Sequence, residues 1–276
     1  MSETENTLEK LEIRLLLDGI YEHYGYDFRD YAPETLKRRI QNRVRNENLT
    51  SVSGLLEKAL HDQDCFYRLV ADLSITVSTM FRNPGLFVSF RNEIVPYLKT
   101  YPFIRIWHAG CGKGEEVYSM AILLYEEGLH ERCRIYATDM NQDALKQARQ
   151  GIFPLKQMQE YTRNYQAAGG QNSFSEYYAA NYDNAIFHPW LRENILFSRH
   201  NLTIDGPFNE FNVILCRNVM IYFNRELQNR VHHLFYNSLA TIGFLILGRS
   251  ETIKFTPYET NYEAVGKHGN TYKKSR

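Results

Sequence analysis

Five short apolar runs limit what this chain can fold into: "FIRIW" (103–107), "CRIYAT" (133–138), "NILFSRHNL" (194–202), "FNVILC" (211–216) and "GFLILG" (243–248). Each has the length of a buried strand and falls well short of the roughly 20 apolar residues of a membrane-spanning helix. Helix-like stretches separate several of them: "EEVYSMAILLYEEG", "NQDALKQARQG" and "RELQNRVHHLFYNSLA". Strands that alternate with helices imply an α/β fold, a parallel sheet with helices on its faces.

The first 72 residues follow another rhythm. Leu8, Leu11, Leu15, Leu16 and Ile20 recur at helical spacing. "YAPETLKRRIQNRVRNENL" puts Pro33 at a helix start with Glu34 in the first turn. Ser51 or Ser53 is placed to cap the helix of "SVSGLLEKAL", and "CFYRLVADL" reads as one more helix. The expected organisation is an all-helical domain over 1–72 and an α/β domain over 73–276. The interval 152–194, rich in Tyr, Asn and Gln, breaks the alternation and implies a small inserted β subdomain at about 152–200.

"WHAGCGKGEEVYSMAI" (107–122) follows the first strand and opens a helix, the setting in which a glycine turn brings a ligand against the backbone. The spacing is G-x-G-x-G over Gly110, Gly112 and Gly114, and Lys113 is followed by Gly114 rather than Ser or Thr. A phosphate at this helix start would meet Glu115 and Glu116 and be repelled. A zwitterionic ligand suits the loop better, and S-adenosylmethionine bears an ammonium, a sulfonium, a ribose and an adenine. Asp139, at the end of the next strand and 25 residues beyond Gly114, stands where an acid commonly takes ribose hydroxyls, about 20 residues on. The competing explanation is local: the two glutamates favour the helix dipole and Asp139 caps the following helix.

Charge and cysteine content narrow the partners. Lys+Arg and Asp+Glu both total 32, so no global field favours nucleic acid or a membrane surface. Cys65, Cys111, Cys133 and Cys216 form no CxxC pair, and His232-His233 has no ligating neighbours, so no metal site is expected. The cysteines read as free thiols of a cytoplasmic protein.

"WHAGCGKGEEVYSMA", "YATDMNQDAL" and "FNVILCRNVMIYFN" together resemble the CheR-type chemotaxis receptor methyltransferases. "YAPETLKRRIQNRVRNENLTSVSGLLEKAL", "ITVSTMFRNPGLF", "ILFSRHNL" and "GFLILGRSE" extend the likeness, in order, over nearly the whole chain. The resemblance implies a Rossmann-like S-adenosylmethionine-dependent domain behind an N-terminal helical domain. The implied activity is methylation of glutamate carboxylates on the cytoplasmic helices of chemoreceptors, with S-adenosylhomocysteine as product. It implies cofactor contacts from Thr76, Ser78, Arg82, Gly110, Glu116, Asp139, Asn201, Leu202, Arg217 and Asn218, with Arg82 and Tyr222 near the transferring methyl. This chain departs from the family pattern at Thr76 (usually Asn), Ser78 (usually Thr), "GKGEEVYS" (usually "STGEEPYS") and Arg249 (usually His). Two alternatives use the same residues: a methyltransferase for a non-receptor protein or small acid, and a non-catalytic cofactor-binding signalling module.

A glutamate nucleophile is already ionised at neutral pH, which agrees with the lack of a Ser-His-Asp or Cys-His pattern. Docking is expected from the basic helix. Leu36, Ile40 and Val44 form its apolar seam, Arg38 and Arg45 fall opposite, and Arg39 and Arg43 fall on one flank. The first 72 residues carry 10 basic and 14 acidic residues, and half of the basic ones lie in this helix. Arg38, Arg39, Arg43 and Arg45 are therefore the expected substrate-docking set, and the acidic receptor helices are the partner the resemblance implies.

Overall fold

The computed structural model describes residues 3–73, 78–266 and 270–275, with the side chains of 3–6 left aside. The chain forms two compact units. The first is helical: α1 (Glu3–Tyr24), α2 (Pro33–Asn46), α3 (Val52–His61) and α4 (Gln63–Leu73), joined by the distant segment Tyr222–Arg230. Pro33 opens α2 as its sequence predicts. Ser51, not Ser53, caps α3 by accepting from the Gly54 amide at 3.1 Å. The core face of α1 is Leu16, Leu17 and Ile20; Leu8, Leu11 and Leu15, expected on the same stripe, are 59%, 42% and 46% exposed. A Cβ on Gly19 would come within 2.9 Å of Leu56 Cδ1, so glycine here permits the close seating of α1.

The second unit begins with α5 (Pro84–Ser89), which runs through a π turn (Phe90–Ile94) into α6 (Val95–Leu98). The elements that follow are β1 (Ile104–Ala109), α7 (Glu115–Glu126), β2 (Cys133–Asp139), α8 (Gln142–Gln150), β3 (Ile152–Pro154), α9 (Met158–Ala167), β4 (Tyr178–Asn181), β5 (Asn184–Phe187), β6 (Ile195–Arg199), β7 (Phe211–Cys216), α10 (Arg225–Ser238, of which the part up to Arg230 groups with the helical unit), β8 (Leu239–Leu247), β9 (Tyr262–Ala264) and β10 (Asn270–Lys274). The main sheet has the order β6-β2-β1-β7-β8-β10-β9. Its first five strands are parallel and β10 pairs antiparallel with β8 and β9. From β1 the chain builds outward to β2 and β6, then returns to lay β7 and β8 on the other side. The crevice beyond the carboxyl ends of β1 and β7 is therefore the switch point at which such sheets bind ligands.

The insertion is a separate three-stranded sheet, β3-β5-β4, with α9. Its β part ends at Phe187, and β6, inside the expected 152–200 interval, belongs to the main sheet. This insertion explains why α7 is apolar on nearly all sides: one face meets the sheet and the other is covered by the insertion. Glu126, whose side chain is fully buried, is held there by the Tyr165 hydroxyl, the Tyr177 hydroxyl (2.8 Å) and Arg91.

Candidate cofactor site

The glycine turn is built from backbone outward. Gly110, Gly112 and Gly114 all have positive φ (78°, 55° and 94°), a region that L side chains rarely occupy. The amides of Gly110 and Cys111 donate to the Thr138 carbonyl at 2.8 and 2.9 Å. Asp139 completes the turn: Oδ2 accepts from the Gly112 amide and Oδ1 from the Asn141 amide, both at 2.8 Å. Burial pushes the Asp139 carboxyl up, against the pull of those amides. The cap of α8 is Asn141, whose Oδ1 accepts from Asp143 and Ala144 at 3.0 and 3.1 Å. Asp139 thus does not cap the helix; it braces the loop on the amides of Gly112, Met140 and Asn141, which leaves about one of its four lone-pair positions for a further donor.

The two adjacent glutamates have opposite surroundings. Glu116 pairs with Arg217, which follows β7, and its Oε1 lies 3.2 Å from His108 Nδ1. Burial pushes Glu116 up, but Arg217 and His108 outweigh it and hold the carboxyl at about 2. Glu115 is 5% exposed, with no partner for Oε2. Burial pushes its carboxyl up to about 7, against its own amide and Lys113.

Arg82 sits between two left-handed residues, Phe81 (φ 52°) and Asn83 (φ 59°). The Phe81 amide donates to Ser119 Oγ at 2.9 Å, and that hydroxyl donates to the Glu115 carbonyl at 2.7 Å. The Arg82 carbonyl accepts from Arg217 Nη2 at 3.2 Å. One serine on α7 therefore ties the segment bearing Arg82 to the helix that starts at the glycine turn. Ser78 is half-buried, and Thr76 lies outside the described residues. Asn201 and Leu202, after β6, are buried. Asn201 Oδ1 accepts from Thr203 N and Oγ1 (3.0 and 2.8 Å), while Nδ2 is buried without a partner.

The helical unit holds the remaining expected residues. Arg38 and Arg45 are exposed and make no ion pair among the described residues. Arg39 and Arg43 correct the docking set. Arg39 is buried, with Nη1 on the carbonyls of Asp72 and Leu73 at 3.1 and 2.7 Å. Arg43 binds Asp72 at 2.6 Å and Glu47 at 3.1 Å. Both flank positions turn toward α4, because burying the Leu36–Ile40 seam carries that flank inward. Tyr222 groups with this unit, and the Arg39 guanidinium lies 4.8 Å from its ring centroid.

Three contributors escaped sequence reading: His108 on an apolar strand, Ser119 in mid-helix, and Glu251. The Glu251 carboxylate accepts from the amides of Asn218 (2.9 Å), Val219 (2.8 Å), Met220 (2.8 Å) and Gly248. The one sequence signal for it is an acid just past an apolar strand that ends in glycine, "LILGRSE".

A parallel-sheet switch point, a glycine turn braced by a buried acid and two glutamates where a phosphate would otherwise sit define the class: a methyltransferase domain that binds S-adenosylmethionine. The observed polar groups fit such a nucleoside, since Asn201 offers an unused amide N–H and Asp139 a remaining carboxylate lone pair. Residues 76–267 match the family described as CheR methyltransferase, SAM binding domain, and residues 11–74 match CheR methyltransferase, all-alpha domain. The chain belongs to the CheR methyltransferase family and uses S-adenosylmethionine. It is 48% identical over 275 residues to "Putative methyltransferase Cher3" of Pseudomonas putida, with 100% of each chain covered. It is 29% identical to a chemotaxis protein methyltransferase of Listeria monocytogenes, covering 83% of this chain and 85% of the relative. To the chemotaxis protein methyltransferase of Escherichia coli it is 26% identical, covering 88% and 85%. Among the described residues, no helix is long and apolar enough to cross a membrane and no cluster of ligating side chains would hold a metal ion.

Proposed function

We propose that this methyltransferase esterifies glutamate side chains on the cytoplasmic helices of a chemoreceptor, acting in the cytoplasm. When bound, S-adenosylmethionine supplies a sulfonium-activated methyl for in-line transfer to a carboxylate, giving a methyl ester and S-adenosylhomocysteine. The observation that supports a carboxylate acceptor is that, among the described residues, the three acids at the glycine turn are engaged or buried rather than free to act as a base. Glu116 is committed to Arg217, Asp139 to backbone amides, and Glu115 is buried. An acceptor already ionised at neutral pH needs no such base.

In this reading Glu116, Asp139, Asn201, Leu202, Arg217, Asn218 and Gly110 bind the cofactor, together with Thr76 and Ser78. Arg82, fixed by its left-handed neighbours, aims the acceptor carboxylate, and Tyr222 shapes the approach. A permanent tight clamp on that carboxylate would oppose a reaction in which charge is neutralised, so Arg82 orients rather than grips. Alignment of this kind contributes on the order of 7–11 kcal/mol. The helical unit docks the receptor through Arg38 and Arg45.

The test is incubation with labelled S-adenosylmethionine and receptor-containing membranes of the host, followed by alkaline hydrolysis. A receptor-sized band bearing base-labile methyl is expected. Labelling of other proteins alone would move the substrate off the receptors, and no labelled protein would favour a cofactor-binding signalling role.

A further inference from the structure

We infer that Glu251 is a positioning residue for the cofactor crevice, the group that holds the segment after β7 in its binding conformation. This inference rests on the site reading above. A carboxylate offers about four lone-pair positions. Glu251 fills them with four backbone amides: Val219 and Met220 on Oε1, Asn218 and Gly248 on Oε2. Nothing is left for a ligand, so Glu251 acts on the cofactor only through the chain it holds.

That chain is strained without the carboxylate. Asn218 has a φ of 61°, an uncommon conformation for a residue with a Cβ. Three successive amides, 218 to 220, converge on one anion, a concave nest of N–H groups whose mutual repulsion an anion relieves. The anion here is supplied from β8's end rather than by a ligand.

The held segment touches the other parts of the crevice. Arg217, just before the nest, reaches Glu116 and the Arg82 carbonyl. Val219, inside it, covers the glycine turn so closely that a Cβ on Gly110 would lie 2.5 Å from Val219 Cγ2. Gly248 leaves room for the clamp: a Cβ there would meet Glu251 Oε2 at 2.4 Å and the Asn218 amide at 2.8 Å. One buried acid thus sets the β1 turn, the post-β7 segment and the Arg82 carbonyl against each other.

The experiment measures S-adenosylhomocysteine binding by calorimetry for Glu251→Gln, with Asp139→Asn testing the site and Leu98→Ala as a stability control far from the crevice. Gln keeps the shape but replaces two acceptor positions with N–H donors that face other donors. The folded Glu251→Gln protein should bind about tenfold or more weakly, whereas Leu98→Ala, though less stable, should bind as wild type. Gly248→Ala displaces the same clamp without removing the acid, and should weaken binding in the same direction should Glu251→Gln not fold. Wild-type affinity in folded Glu251→Gln, with Asp139→Asn impaired, would overturn the positioning role alone. Wild-type affinity in both would overturn the site with it. Equal loss in Leu98→Ala would reduce Glu251 to a purely structural residue.

Discussion

Glu115 and Glu116 are neighbours in the chain and opposites in charge economy. Glu116 meets the guanidinium of Arg217, just past β7 and 101 positions away; Glu115 Oε2 has no partner among the described residues. The folded-state value of Glu115, about 7, lies above its ordinary 4.5, so the fold holds this proton more tightly than the unfolded chain. The resulting cost is absent below about pH 4.5, grows as pH rises toward 7 and is complete above it. Glu116, held at about 2, runs the other way: its contribution is complete above 4.5 and is lost as pH falls toward 2. Replacing Glu115 with Gln should therefore raise stability at pH 8 by up to about 3 kcal/mol and change it little at pH 5, read from urea midpoints. A gain of the same size at both pH values would mean the buried charge is not its source. Both glutamates are plain in the sequence, but which of them gains a partner is not, because Arg217 lies 101 positions from Glu116.

At the scale of elements, the glycine turn was legible because strand, turn and helix are contiguous and the conformations they need are local. Gly110→Ala tests how far the turn depends on its left-handed backbone. Left-handed strain plus the approach of Val219 Cγ2 should cost about 1–3 kcal/mol and weaken cofactor binding. Unchanged affinity and midpoint would show that the turn tolerates a Cβ. Elsewhere periodicity was ambiguous. α1 carries apolar residues on two faces, and the seating of Gly19 against Leu56, not spacing, selects Leu16, Leu17 and Ile20 for burial. β9 and β10 had no apolar run to announce them: "NTYKK" is mostly polar, yet it lies between β8 and β9 in the sheet.

Across the whole molecule, the formal net charge is zero, so electrostatic recognition depends on local groups. With Arg39 and Arg43 engaged inside the helical unit, Arg38 and Arg45 remain as the exposed cations of α2's outer face. Changing both to Glu should slow receptor methylation about tenfold at low ionic strength and leave S-adenosylhomocysteine affinity unaltered. The defect should shrink above about 0.5 M salt, where the screening length falls to a few Å. A rate equal to wild type at low salt would remove this helix from docking.

The sequence alone determined what is local. Strand-length runs alternating with helices implied the parallel sheet, and Pro33 marked a helix start. G-x-G-x-G with two acids excluded a phosphate and pointed to S-adenosylmethionine, while the order of the motifs pointed to the family. Only the tertiary structure decided what depends on residues far apart in the chain: that Arg39 faces the carbonyls of Asp72 and Leu73, that Tyr222–Arg230 joins the helical unit, and that the Glu251 carboxylate gathers amides from 218 to 220. Spacing along a chain specifies which face of an element a side chain occupies. The partner across that face is set by packing, and packing by the whole fold.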